Sequence, residues 1–149
     1  MISTVTVNYK TVEYTLKMLE SLFEHHDTSG IEVFVVENAS GDSMEEIERR
    51  FPKVQIIRSE TNLGFAGGCN LAIEKASGDY IVLVNPDIIF DDNALEQLEG
   101  KMITQPDIGI GGRASHDAPQ VLHDACDLLL ALALIGGVDA VFAARGLDR

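Results

Sequence analysis

Apolar and polar positions follow two rhythms along the first two thirds of the chain, and turn residues mark each change. Thr4-Val5-Thr6-Val7 has period two and a β-branched composition, which predicts a first strand. After Asn8-Tyr9-Lys10, the residues Val12, Leu16, Leu19 and Phe23 recur at helical spacing and predict a helix that ends before Asp27-Thr28-Ser29-Gly30. Residues 31–36 are nearly all apolar, as a parallel strand covered on both faces requires. Asn38-Ala39-Ser40-Gly41 then turns the chain into a second helix, with Met44, Ile47 and Phe51 facing inward. Val54-Gln55-Ile56-Ile57 predicts a third strand. Residues 62–68 read as a glycine-rich loop, and Cys69, Ala72, Ile73 and Ala76 mark the inner side of a third helix. A strongly apolar strand follows at residues 80–84. A helix starting near Asp92 carries Leu95, Leu98 and Met102 on one face, and Ile108-Gly109-Ile110 reads as one more short strand.

Strands separated by helices of this length build a parallel sheet through right-handed crossovers, so the predicted class is α/β with helices flanking a mostly parallel sheet. Ligands in such sheets sit beyond the carboxyl ends of the strands. The polar and glycine-rich segments of this chain fall in those places: Asn8-Tyr9, Glu37-Asn38, residues 62–68 and Asn85-Pro86-Asp87. Beyond Arg113 the pattern weakens. Residues 115–119 are polar and predict a loop, whereas residues 128–135 form an apolar run that suits a buried helix or a strand equally.

Composition narrows the functional classes. With 149 residues, 46% of them apolar, the chain supports the core of one average domain. There are 24 acidic residues against 11 basic ones, a formal charge of -13, which argues against a nucleic-acid partner. A single nucleotide stays compatible, since a few amides and a metal ion can hold it. Cys69 and Cys126 make neither a disulfide framework nor a zinc site and read as buried thiols in a reducing compartment. No signal peptide is visible at Met1-Ile2-Ser3-Thr4-Val5, and the longest uncharged apolar run, residues 128–138, falls short of the roughly 20 residues of a spanning helix. A cytoplasmic location is expected, with a peripheral contact at the inner face of the membrane left open. An exposed apolar surface at residues 128–135 would favour self-association.

Each loop has a chemical and a plain structural reading. Asp87, aimed by Pro86 at the end of an apolar strand, suits a hard divalent cation, or belongs to an ordinary Asn-Pro turn. The segment Asn62-Leu63-Gly64-Phe65-Ala66-Gly67-Gly68 lets backbone approach a phosphate or sugar, or serves tight helix–sheet packing. It is neither a Walker loop nor a dinucleotide fingerprint. Asn62 and Asn70 flank it and either bond sugar hydroxyls or brace the turn. Glu37 can accept an N–H from a base or hydroxyls from a ribose, or it ends a turn in which Ser40, Asp42 or Ser43 caps the next helix. His25-His26 is expected in solvent, His116 and His123 show no metal spacing, and no serine-nucleophile elbow is present.

Taken in order, Val7-Asn8-Tyr9, Val35-Val36-Glu37-Asn38-Ala39-Ser40, Asn62-Leu63-Gly64-Phe65-Ala66-Gly67-Gly68-Cys69-Asn70, Gly78-Asp79-Tyr80 and Val84-Asn85-Pro86-Asp87 resemble family 2 glycosyltransferases of the GT-A fold, in particular the rhamnosyltransferase-like and galactofuranosyltransferase-like branch. The resemblance implies a GT-A nucleotide-diphospho-sugar fold, truncated at its C-terminus, and sugar transfer with inversion from a dTDP- or UDP-linked donor to a saccharide acceptor. It implies that Asn8 and Tyr9 border the nucleotide, that Glu37 and Asn38 lie at the base, and that Asn62, Gly67, Gly68 and Asn70 lie by nucleotide and donor sugar. The Asn85-Pro86-Asp87 element stands where the family's metal motif lies, which makes Asp87 the implied ligand of Mg²⁺ or Mn²⁺ and places Asn85 beside it.

The chain departs from the family pattern twice. Glu37 stands where an Asp is usual. The family's acidic pair that supplies the general base has no counterpart, and Asp139, in a faint Gly136-Gly137-Val138-Asp139-Ala140 echo of the Gly-Gly-Phe-Asp-Glu stretch that precedes that pair in the family, is the substitute candidate. The expected organisation is therefore a nucleotide-sugar-binding core at residues 1–112 and a short acceptor-side segment at 113–149. A binding module without turnover is the alternative.

Overall fold

The computed structural model describes residues 1–105, 110–114, 117–122 and 140–145. Their elements run β1 (Ile2–Asn8), α1 (Val12–His25), β2 (Ile31–Glu37), α2 (Glu45–Arg50), β3 (Val54–Arg58), α3 (Gly64–Ile73), β4 (Tyr80–Val84), α4 (Ala94–Thr104), β5 (Ile110–Ala114), β6 (Asp117–Leu122) and β7 (Ala140–Arg145). One sheet joins the strands in the order β3-β2-β1-β4-β7-β5-β6. The first four in that order are mutually parallel, and β7 pairs antiparallel with both β4 and β5. The α/β class and mostly parallel sheet expected from the pattern are thus present.

The sheet separates two apolar layers. On one face Ile2, Val33, Val35, Val82 and Val84 meet Met18, Leu19 and Leu22 of α1, Ile47 of α2 and Leu95 and Leu98 of α4. On the other, Val5, Val7, Phe34, Val36, Ile81 and Leu83 meet Cys69 and Ala72 of α3. Because successive side chains of a strand point to opposite faces, a strand covered on both sides must be apolar or self-satisfied throughout, and all seven residues of β1 are buried. Burial pushes the Cys69 thiol up to about 12, so it is a packing residue and no nucleophile.

Several expectations need correction. The most deeply buried positions of α1 are Thr15, Met18, Leu19, Ser21 and Leu22; of the expected face Val12, Leu16, Leu19 and Phe23, Leu19 is fully buried and the other three are partly covered. His26 is not in solvent. It is buried at the end of α1, its Nδ1 lies 2.6 Å from Glu96 Oε2, and its ring meets Phe90 edge-on at 5.0 Å. Phe90 N in turn donates to Ser21 Oγ at 3.0 Å, so this contact fixes the β4–α4 connection against α1. His25, by contrast, is exposed as expected.

Residues 117–119 are strand, not loop: β6 is an edge strand, where Pro119 costs no ladder bond, and the β5–β6 register shifts beside it. Of the expected strand at 108–110, only Ile110 is among the described residues, and it opens β5. The apolar run 128–135, Cys126, His116, His123 and Asp139 lie outside them.

The opposite, N-terminal edge of the sheet is tied by Glu32. Its carboxylate accepts from Ser3 Oγ (2.6 Å), Ser77 N (2.9 Å) and Ser77 Oγ (2.6 Å). Partial burial opposes its ionisation, but these hydrogen bonds outweigh it and hold the pKa below the ordinary 4.5. A depressed carboxylate contributes stability above its unfolded pKa and loses it as pH falls through the folded value. Wild-type protein is therefore expected to lose stability between about pH 5 and about pH 3, and Glu32→Gln to lose less over that range. Urea unfolding of both proteins across the range checks this, and equal losses would contradict it.

Candidate active site

The chain steps outward from β1 to β2 and β3, then returns to place β4 on the other side of β1. Such a reversal opens a crevice at the carboxyl ends of β1 and β4. Asn8-Tyr9 leaves β1 there, Glu37-Asn38 ends β2 alongside, and Asn85-Pro86-Asp87 leaves β4.

Asn8 is fully buried, and both ends of its amide are used. Nδ2 donates to Asp42 Oδ2 at 2.8 Å and to Ser40 Oγ at 3.4 Å, while Oδ1 accepts from Thr11 Oγ1 at 3.2 Å and Thr15 Oγ1 at 3.0 Å. Asn8 thus clamps the end of β1 to the β2–α2 loop and to α1. The Asn8, Thr11, Thr15 spacing carried this signal, with both threonines on the helix side facing the strand end. Tyr9 and Lys10 turn outward. Tyr9 is exposed, Lys10 has φ +59°, and its Nζ lies 5.6 Å from the Tyr9 ring centre. Among the described residues Lys10 has no carboxylate partner.

The turn after β2 closes on itself. Ser40 N and Ser40 Oγ both donate to Glu37 Oε1, at 2.6 and 2.5 Å, and Ala39 takes φ +58° to allow it. Glu37 Oε2 has no partner among the described residues. Glu37 as a whole is buried, and among the described residues the one buried side-chain polar atom without a partner is His26 Nε2. Of Ser40, Asp42 and Ser43, Ser43 meets the start of α2: its Oγ accepts from Glu45 N at 3.4 Å, while Met44 is the residue that flanks the helix.

Asn38, also buried, ties this turn to α3. Its Nδ2 donates to Asn62 Oδ1 and Gly64 O, both at 3.1 Å, and its Oδ1 accepts from Leu63 N at 3.0 Å. Asn62 Oδ1 also accepts from Gly64 N at 2.8 Å, so Asn62 braces the turn. The glycine-rich segment is not a loop throughout. It enters α3 at Gly64, which has φ +69°.

Two of its glycines have packing reasons. A Cβ at Gly67 would come within 2.7 Å of Leu63 Cβ, and one at Gly68 within 3.0 Å of both Val7 methyls. Gly68 lets α3 sit against β1, while Asn70 is exposed on the helix surface.

Asp87 stands on a turn closed by Ile88 N donating to Asn85 O at 3.3 Å, and its side chain is exposed. No group of three or more His, Cys, Asp and Glu able to hold a metal occurs among the described residues. One exposed carboxylate does not cage a cation. It fits an ion that draws its remaining ligands from phosphate oxygens and water, as Mg²⁺ commonly does. Glu37, Asp42 and Asp87 make this edge acidic, so a diphosphate ligand needs such a counter-charge.

A profile of the family described as "Glycosyl transferase family 2" matches residues 3–123. The chain belongs to glycosyl transferase family 2. It is 29% identical over 122 residues to "Glycosyltransferase GlyG" of Streptococcus pneumoniae serotype 4, covering 78% of this chain and 40% of that protein. It is 28% identical over 105 residues to "Uncharacterized glycosyltransferase YwdF" of Bacillus subtilis, covering 69% and 38%. The chain thus spans about two fifths of these relatives' length.

Among solved structures, S. aureus TarS 1-349 in complex with UDP-GlcNAc superposes with TM-score 0.65 at 20% identity, covering 80% of this chain and 37% of that one. The mannosyltransferase PcManGT of Pyrobaculum calidifontis, in complex with GDP-Man and Mn²⁺, gives 0.67 at 18% identity, covering 97% and 44%. These likenesses show the fold, which is of the GT-A type. No helix among the described residues is long and apolar enough to cross a membrane.

Proposed function

We propose that this chain carries the donor half of an inverting glycosyltransferase. It takes a sugar from a UDP- or dTDP-linked donor to a saccharide acceptor, in the manner of the rhamnosyltransferase-like branch. The observation that carries this reading is the placement of the β1, β2 and β4 ends side by side at one edge of the sheet, with the buried amides of Asn8 and Asn38 tying the β1 and β2 ends to each other and to the start of α3. Glu37 Oε2 and Tyr9 face the base from the β2 and β1 ends. Asp87 supplies the protein ligand to Mg²⁺ or Mn²⁺, and the ion, when bound, neutralises charge on the departing diphosphate. Asn85 and Asn70 lie toward the diphosphate and sugar, and the α3 turn at Asn62, Gly67 and Gly68 shapes that side. In the transfer the acceptor oxygen bonds to the anomeric carbon as the bond from that carbon to the diphosphate oxygen breaks. The acceptor proton passes to a base.

Residues 1–112 form the donor core in this reading and 113–149 the acceptor-side segment, with Asp139 as the candidate base. A second reading, donor binding without turnover, is favoured by the commitments of the described carboxylates. Asp42 is bonded to Asn8, one oxygen of Glu37 to Ser40, and Asp87 is assigned to the cation. The test is to incubate the chain with Mn²⁺ and a panel of UDP- and dTDP-sugars, with and without saccharide acceptors, and to quantify free nucleotide and glycosylated product. Metal-dependent release of UDP or dTDP is expected. Binding without release from any donor would select the second reading.

A further inference from the structure

We infer that His26, with Ser21, is a positioning residue for Asp87: from the far end of α1 the two side chains seat Phe90, and Phe90 holds the strap on which Asp87 stands. The inference rests on the donor-binding reading above, in which Asp87 meets the cation, and refines it.

The strap is residues 85–93, which join β4 to α4 without helix or strand. Along it Asp87, Ile89 and Asp91 are exposed, whereas Ile88 and Phe90 are buried in the layer that holds Met18, Leu19 and Leu22. Such alternation marks an extended run with one face on the core, and a slip of one position would turn Asp87 inward. The run is held on both sides of Asp87. Before it, Val84 pairs with Val141 in the sheet. After it, Phe90 N donates to Ser21 Oγ at 3.0 Å, and Ser21 Oγ gives its own proton to Met18 O at 2.9 Å, so this buried hydroxyl is engaged as donor and as acceptor.

His26 is the second anchor. Its side chain is fully buried, with Nδ1 donating to Glu96 Oε2 at 2.6 Å and the ring edge-on to Phe90 at 5.0 Å. Nε2 is sealed and unpartnered. Burying an imidazole in that state costs stability. The contacts that offset the cost reach Phe90 and Glu96, which bracket the entry of the strap into α4, and they exist only while the strap is seated. Burial of His26 and the register of the strap are therefore coupled. His26 acts from a helix length away, since α1 leaves the crevice at Val12 and spans about 20 Å to its last residue. It touches neither nucleotide nor cation in this scheme.

The test uses the whole 149-residue chain and its Ser21→Ala, His26→Ala and Glu96→Ala variants, with His25→Ala as the control at an exposed position of the same helix end. Hydrogen exchange of the metal-free protein follows Ile88 N–H, whose bond to Asn85 O closes the Asp87 turn. Calorimetric titration of UDP and of dTDP over a range of Mn²⁺ concentrations gives the metal concentration at half-maximal binding. In the three variants Ile88 is expected to exchange at least about tenfold faster while the amides of β2 keep wild-type rates, because the opening is local. Their Mn²⁺ requirement should rise about tenfold, the low end of what partners behind a metal ligand cost. Saturating Mn²⁺ should bring nucleotide affinity back to within about threefold of wild type, as filling the site draws Asp87 into place. Glu96 is partly exposed, so its variant reports even where His26→Ala fails to fold. A purely structural role would speed exchange in β2 as well and leave the Mn²⁺ requirement at its wild-type value. That result, or unchanged Ile88 exchange, in variants of a chain that binds UDP or dTDP with Mn²⁺ would overturn the inference and leave the donor site standing. A wild type that binds neither nucleotide with Mn²⁺ would overturn both.

Discussion

Asn8→Ala is expected to lower the unfolding free energy by about 2–4 kcal/mol, the cost of breaking a buried polar network and leaving its members unpaired. The amide is sealed from water and serves four side chains on two other segments: Ser40 and Asp42 in the β2–α2 loop, Thr11 and Thr15 at the start of α1. Truncation takes the Nδ2 donor from the partly buried Asp42 carboxylate and one of the two acceptors from the buried Thr15 hydroxyl, the other being Thr11 O. Asn70→Ala serves as the contrast, because Asn70 is exposed and bonds to no side chain among the described residues. Its expected change is within about 0.5 kcal/mol. Urea unfolding of the two variants beside wild type decides the matter. An Asn8→Ala protein as stable as Asn70→Ala would show that the network contributes nothing.

The second large effect falls on function alone. Asp87→Ala is expected to reduce metal-stimulated nucleotide release by about a hundredfold or more, since even outer partners of metal ligands cost 10–100-fold when removed. Asp87 is exposed and makes no hydrogen bond or ion pair with the described residues, so its loss should leave the melting temperature unchanged. Asp87→Asn keeps the shape and removes the charge, and it should be nearly as defective. Initial rates at saturating Mn²⁺, measured beside thermal unfolding, check both statements. A variant that keeps its metal stimulation would place the cation elsewhere.

Much of this was legible in the pattern of residues. The strands were clear because β2 and β4 are covered on both faces and are nearly all apolar, while β1 alternates β-branched Thr and Val, and the polar residues at their ends therefore stood out. Long-range polar contacts were not legible. His26 read as solvent-facing because a histidine at a helix end usually is. Nothing local announces Glu96 and Phe90, seventy and sixty-four positions further on. The glycine-rich segment read as a loop because Gly is a poor helix former, yet the approach of α3 to Val7 requires Gly68 inside the helix. Residues 115–119 read as a loop because they are polar, yet residues 117–119 belong to β6, an edge strand that tolerates both polar residues and Pro119. At the site, Asn8, Glu37, Asn38 and Asp87 were named from sequence, but the division of labour was not. Asn8 and Asn38 are committed to protein partners, whereas Glu37 keeps one oxygen free and Asp87 keeps its whole carboxylate free.

The most direct measurement is a calorimetric titration of UDP into the chain with Mn²⁺ and again with excess chelator. The central claim, a metal-assisted nucleotide-diphosphate site at the carboxyl ends of β1, β2 and β4, predicts one-to-one binding that requires the metal and is lost in Asp87→Ala. Binding indifferent to both the metal and Asp87, or no binding of UDP or dTDP at all, would contradict it.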